Sequence, residues 1–267
     1  MLAVTLTSDF GDQHYAIASI KGTLLRSFPG AQIIDIAHHI TPYHTQQAAY
    51  IFKQAYDRFP AQTIHFIFNN MFQQNAKQLL YVYMREQHIF CADNGILTLL
   101  FDHEPVQLFR LNYTFKTENY TLKNILTQFI NHAQALLEHD TELHFIPIDV
   151  NDIVVKHRSR ASYNQNVLDA GIQYIDRYGN VVLNASKEDF DEVALNRPFE
   201  IRFVDGTVIK ALSKGYIDSA NGRAICFFND AGFLEIAVRN GDASKLLGLR
   251  EQGEESIFYH SIKIKFE

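Results

Sequence analysis

The stretch Leu2-Ala3-Val4-Thr5-Leu6-Thr7-Ser8-Asp9-Phe10-Gly11 decides the fold of this chain. Residues 2–7 read as a strand, and Ser8-Asp9-Phe10-Gly11 carries the residue types of the turn that ends it. Residues 14–28 follow with helical spacing. Ile17, Ile20, Leu24 and Leu25 are expected to share a face, and Pro29-Gly30 closes the segment. Ile33-Ile34-Asp35-Ile36-Ala37 predicts a second strand, 45–58 a second helix, and Thr63 to Phe68 a third strand. Leu79 to Met84 and His88 to Ala92 predict a hairpin around Glu86-Gln87, and 121–138 another helix. Alternating strands and helices place residues 1–150 in an α/β domain with a mostly parallel central sheet.

The pattern changes after Pro147. A polar, basic stretch, Lys156-His157-Arg158-Ser159-Arg160, is followed by Ser162-Tyr163-Asn164-Gln165-Asn166, so 151–168 is expected to be a linker. Beyond it, strands are expected at 170–177, 180–184, 199–204, 207–212, 223–229, 233–238 and 257–266. Tyr178-Gly179-Asn180, Asp205-Gly206, Asn221-Gly222 and Ala231-Gly232 are the turn signals between them. Residues 169–267 therefore predict a small all-β domain, a barrel or a sandwich.

A chain of 267 residues can bury a sizeable core in one or two domains. A formal charge of -6, with no basic run of five or more, argues against a nucleic-acid partner. No apolar run approaches a membrane span, and the N-terminus lacks the basic lead and long apolar stretch of a signal peptide. A soluble cytoplasmic protein with no membrane partner is expected. Cys91 and Cys226 lie far apart in apolar, strand-like contexts, which favours two buried thiols over a disulfide. No CxxC, Gly-rich phosphate loop, HExxH or GxSxG occurs.

Asp9 stands at the carboxyl end of the first strand, where open α/β sheets bind ligands, and a carboxylate there suits the adjacent hydroxyls of a ribose. The same residue before a helix also reads as an N-cap. His38, His39 and His44 sit close together, but on a strand end and loop with no matching acidic cluster elsewhere, so no metal is expected. Tyr43, following Pro42, is an aromatic held on a loop, suited to packing on a sugar or to plain packing. Ile175 to Val182 reads as a tight hairpin in which Gly179-Asn180 supplies positive φ. Phe227 to Val238 reads as another.

Joint order gives these pieces a meaning that none has alone. Thr7-Ser8-Asp9-Phe10-Gly11, Lys21-Gly22, Ile34-Asp35-Ile36 with Thr41-Pro42-Tyr43, Ala92-Asp93-Asn94-Gly95-Ile96-Leu97, Tyr174 to Asn180, and Phe228-Asn229 through Val238 followed by Leu246-Leu247-Gly248-Leu249 span nearly the whole chain. Together they resemble the S-adenosylmethionine hydroxide adenosyltransferase family, to which the fluorinase and chlorinase enzymes are related. The resemblance implies a homotrimer that binds S-adenosylmethionine between the N-terminal domain of one subunit and the C-terminal domain of its neighbour. It implies no cofactor beyond S-adenosylmethionine as substrate or ligand. Carried over, Asp9 would hold the ribose hydroxyls and Tyr43 would pack on the ribose. Asp176 would meet the methionine amino group and Asn180 the adenine edge, with Asn229 and Asp230 completing the pocket.

The family reaction is substitution at the 5′ carbon of the sulfonium, and hydrolytic members position water with an Asp, an Arg and a His. Here those positions fall on Asn70, Lys77 and Lys116. Asn70 cannot take a proton as a carboxylate does, and Lys77 lacks the planar fork of Arg. Lys116 would act as a base only with a depressed pKa. The expected activity is hydrolysis to adenosine and methionine. Its alternatives are an inactive protein that binds S-adenosylmethionine or adenosine, and the same scaffold using an anionic nucleophile or another adenosyl substrate.

Overall fold

The computed structural model describes residues 1–72, 78–101, 106–113, 120–250 and 261–267. The chain divides into two compact units, Met1–His157 and Arg158–Glu267.

The first unit is built on a seven-stranded sheet. Its strands are β1 (Ala3–Ser8), β2 (Gln32–Ala37), β3 (Ile64–Phe68), β4 (Leu79–Met84), β5 (Gln87–Ala92), β6 (Gln107–Leu111) and β7 (Phe145–Pro147), in the order β2-β1-β3-β5-β4-β6-β7. β2, β1, β3 and β5 pair in parallel. β4 runs against β5 and against β6, so β6 points the same way as the parallel set, and β7 reverses again. Strand alternation sorts side chains onto two faces. Val4, Leu6, Ile64, Phe66, Phe68 and Phe90 join α1 (Tyr15–Ser27) and α4 (Leu122–Leu137) in one core. Ile67, Leu80, Val82, Ile89 and Cys91 join α2 (Thr45–Lys53) and α3 (Ile96–Leu100) in another. Two covered faces explain why even the polar residues Thr5, Thr7 and His65 of these strands are buried.

Several expectations need correction. Ile17, Ile20 and Leu24 are buried on α1, but Leu25 is exposed. It lies about 80° around the helix from Ile17, off the buried stripe. α2 stops at Lys53 and gives way to a separate 3₁₀ turn at Tyr56–Arg58. α3, β6 and β7 lie in stretches where no element was expected.

The second unit carries β8 (Ser162–Asn164), β9 (Val167–Ile175), β10 (Val181–Ser186), β11 (Phe199–Arg202), β12 (Val208–Ile209), β13 (Ala224–Phe228), β14 (Phe233–Val238) and β15 (Ser261–Phe266). The sheet runs β12-β11-β15-β9-β10-β14-β13, with β8 paired to β9, and every pairing of named strands is antiparallel. Beyond β12, Ser213 N–H donates to Cys226 O at 2.8 Å, which folds one edge back on β13 and brings the sheet close to a barrel. β8 and the start of β9 fall inside the stretch expected to be a linker. Two short helices were not expected, α5 (Lys187–Ala194) and α6 (Ala243–Leu246). Phe190 of α5 packs edge-on against Phe199, Phe228 and Phe266 and anchors that helix in the β core. Cys91 and Cys226 are both buried thiols. Among the described residues no helix is long and apolar enough to cross a membrane.

Candidate functional site

The carboxyl ends of β1, β2, β3 and β5 bring four loops together around Asp9. The Asp9 Oδ2 atom accepts from Asn70 N–H at 2.9 Å, Asn69 Nδ2 at 3.2 Å and Tyr43 N–H at 3.3 Å. Asp9 N–H itself donates to Phe68 O at 3.3 Å. One carboxylate oxygen thus fastens the loop after β2 to the loop after β3. No other described residue donates to the other oxygen, Oδ1. The N-cap reading of Asp9 is wrong: His14 caps α1, its ring accepting from Ala16 N–H at 3.2 Å. Burial is the largest influence on Asp9 and pushes its carboxyl pKa up, while the Asn70 and Tyr43 N–H groups pull it partly back.

Both backbone N–H groups from these loops come from left-handed residues, Tyr43 at φ 67° and Asn70 at φ 46°. Asn tolerates that conformation, but a bulky aromatic at φ > 0 is strained. Strain of this kind persists where surrounding contacts over-determine it, and it clusters at ligand sites. Asn70 is nearly buried at 5% exposure, whereas the Tyr43 side chain is 66% exposed. Asn94, after β5, supports the loop from below: its Nδ2 donates to Asn69 O at 2.6 Å, and its Oδ1 accepts from Ile96 N–H at the start of α3. Sequence reasoning gave Asn69 and Asn94 no role. Their signal was the motif match at Asn94 alone. Lys77 and Lys116 lie outside the described residues.

The three clustered histidines do three separate things. His38 Nδ1 lies 2.7 Å from Ser8 Oγ. His39 Nε2 is 3.0 Å from Asp12 Oδ2, and His44 caps α2 by accepting from Gln47 N–H.

In the second unit Asp176 builds its own turn. Its Oδ1 accepts from Tyr178 N–H at 2.8 Å and Asn180 N–H at 2.9 Å, and its Oδ2 accepts from Asn180 Nδ2 at 2.8 Å. Gly179 takes φ 81°, and a side chain there would collide with Asp242, the N-cap of α6. Only Gly179 has positive φ; Asn180, expected to share it, does not.

A polar chain runs on from this turn. Asn180 Nδ2 also donates to Tyr216 Oη at 3.1 Å, and Tyr216 donates to Glu235 Oε1 at 2.5 Å. Glu235 Oε2 accepts from Asn229 Nδ2 at 3.0 Å. Asn229 Oδ1 accepts from Ala231 and Phe233 N–H, so Asn229 shapes its own hairpin. Two carboxylates that only accept fix the direction of the whole chain. Both Asn180 Nδ2 hydrogens are spent, and its Oδ1 accepts from no described residue. Desolvation first, then the Glu235 bond, holds the Tyr216 phenol protonated by raising its pKa. Asp230 is exposed at the turn beside Asn229. Asn180 and Asn229 are thereby joined through Tyr216 and Glu235, neither of whose side chains the sequence singled out.

Similarity to known proteins matches this organisation. The chain is 24% identical to the (R)-S-adenosyl-L-methionine hydrolase of Methanocaldococcus jannaschii, over 96% of this chain and 95% of that protein. It is also 24% identical to the protein of the same name from Thermus thermophilus, over 94% of this chain and 97% of that one. An uncharacterised conserved protein from Thermotoga maritima shares the fold, with a TM-score of 0.77 at 21% identity, covering 99% of this chain and 100% of that one. A conserved hypothetical protein from Thermus thermophilus does so with a TM-score of 0.68 at 20% identity, covering 100% of both. Residues 4–142 match the N-terminal domain of the S-adenosylmethionine hydroxide adenosyltransferases and residues 170–255 their C-terminal domain, so this chain belongs to that family.

Proposed function

We propose that this protein hydrolyses S-adenosylmethionine to adenosine and L-methionine. The observation that carries the reading is Asp9: a half-buried carboxylate at the carboxyl end of β1, one oxygen fixed by two loops and the other without a donor from any other described residue, suited to a ribose diol. In the reaction, water oxygen bonds to C5′ while the C5′–S bond breaks. The electron pair stays on sulfur, methionine leaves as a neutral thioether, and the water proton passes to solvent or a base. Departure needs no acid, so the work lies in binding and in aligning water.

Tyr43 is proposed to pack on the ribose, Asn180 to accept from the adenine edge, and Asp176 to meet the methionine ammonium. Asn229 and Asp230 are proposed to complete the pocket. Asn70, Lys77 and Lys116 are proposed to position the water. An Asn70 amide can orient water by hydrogen bonding without taking its proton. The functional assembly is proposed to be a homotrimer, which light scattering of the purified chain tests.

A second reading, binding without turnover, is favoured by the neutral side chain of Asn70. Incubation with S-adenosylmethionine of each sulfonium configuration, with chromatography of adenosine and methionine, separates the two. Equimolar release that Asp9→Ala abolishes supports hydrolysis. Calorimetric binding with no release above the spontaneous rate supports the second reading, and neither binding nor release ends both.

A further inference from the structure

A chain of polar side chains lies directly behind Asp9 and connects α1, β2 and β1. Lys21 Nζ on α1 donates to Asp35 Oδ2 on β2 at 2.5 Å. His38 Nε2 lies 3.0 Å from Asp35 Oδ1, a polar contact outside ideal hydrogen-bond geometry. On its other side His38 Nδ1 meets Ser8 Oγ at 2.7 Å. Ser8 is fully buried and His38 is 7% exposed. Lys21 and Asp35, at the other end, are each more than a third exposed, so the buried Ser8–His38 pair is the part that imposes one geometry on the backbone that carries it.

Its placement is what matters. Ser8 immediately precedes Asp9. His38 also accepts Gly11 N–H through its carbonyl oxygen at 2.8 Å. One residue therefore grips the chain on both sides of Asp9, by side chain before it and by backbone after it. The same loop continues to Tyr43, whose N–H reaches Asp9 Oδ2. Asp35 is held as a carboxylate: burial pushes its pKa up, but Lys21 and His38 outweigh that and bring it below the ordinary range. A carboxylate facing Nε2 favours the tautomer with the proton there, which leaves Nδ1 to accept from the Ser8 hydroxyl.

We propose that His38 is a positioning residue, which through Ser8 and Gly11 aims the second oxygen of Asp9 at the 2′- and 3′-hydroxyls of a bound nucleoside. The inference rests on the ribose role given to Asp9 above. His38 touches no ligand in this scheme. It acts only through the strand end it holds.

The test is calorimetric binding of adenosine and of 2′-deoxyadenosine to the full-length protein. A change that merely loosens the fold weakens both nucleosides alike, whereas a mis-aimed Asp9 lowers the ribose preference itself. The expected result is a ribose preference in the wild type that falls about tenfold in His38→Gln and Ser8→Ala, the scale of one hydrogen bond to a charged group. His38→Asn, whose amide stands where Nδ1 does and still accepts from Ser8, should restore most of the preference. Ser8→Ala removes a single oxygen and serves if a His38 variant fails to fold. A wild-type preference that persists undiminished in Ser8→Ala and His38→Gln overturns the positioning role while leaving the ribose reading intact. A wild type that binds both nucleosides equally overturns the ribose reading, and the positioning role with it.

Discussion

Asp9 and Asp176 are the same residue used in opposite ways. Asp9 gathers its hydrogen bonds from residues 34, 60 and 61 positions away, on loops after two other strands. Asp176 gathers its own from Tyr178 and Asn180, within one turn. The first carboxylate holds tertiary structure together at a strand end, and its second oxygen takes no hydrogen bond from another described residue. The second builds the turn it sits on. A carboxylate with distant partners is a joint between elements. One with near partners is a piece of local structure, and its deletion should be felt in stability first.

The largest expected effect is on Asp9. Asp9→Ala should weaken adenosine binding by about a hundredfold, the scale of two charge-assisted hydrogen bonds, as measured by calorimetry. Asp176→Ala should weaken adenosine binding by about tenfold at most, because adenosine lacks the amino-acid part and only the anchoring of Asn180 is lost. Equal losses in the two variants would erase the distinction between joint and turn.

Gly179→Ala should destabilise the second unit by about 2–3 kcal/mol in urea unfolding, since it combines positive φ with a clash against Asp242. Asp176→Ala and Tyr216→Phe should each cost about 1–2 kcal/mol. In Tyr216→Phe the buried Glu235 loses its short bond, and Asn180 loses one of its two anchors. A Tyr216→Phe protein as stable as wild type would show that the polar chain is incidental.

The smallest effect is on pH dependence. Asp9 has a pKa raised above the ordinary 3.8 by burial. The folded state then holds this proton more tightly than the unfolded chain. Its contribution therefore favours folding below 3.8 and is lost as pH rises through the raised value. Nucleoside affinity should run the other way, rising with pH to a midpoint above 3.8, because the carboxylate is the binding form. Asp9→Asn should flatten that rise. A midpoint at or below 3.8 would contradict the burial argument.

The two regions also differ in how far the sequence revealed them. The parallel strands around Asp9 announce themselves, because β1 and β3 are short stretches rich in β-branched and aromatic residues. α3 was hidden: four apolar residues and Thr98 behind Gly95 are too short to show a helical period. β7 has three residues at a sheet edge and too little pattern to read. α5 was legible and overlooked, since Ser186 and Asp189 form a capping box. At the site, Asp9, Tyr43, Asp176 and Asn180 were marked by motif. The side chains of Tyr216 and Glu235 were not, although the resemblance implied a role for the backbone near Glu235 to Val238. The two lie 19 residues apart and meet only when the chain folds back through β13 and β14. The grip of His38 on Ser8 spans 30 residues and depends on β1 pairing with β2. The N-cap reading of Asp9 failed because α1 begins six residues later, behind His14.

The most direct test of the central claim is turnover of S-adenosylmethionine in ¹⁸O-water, with mass spectrometry of the nucleoside released. Attack of water on C5′ predicts adenosine carrying one ¹⁸O atom in its 5′-hydroxyl, together with an equal amount of unlabelled methionine. Adenosine without the label, a 5′-substituted adenosine in its place, or no release above the spontaneous rate would contradict it.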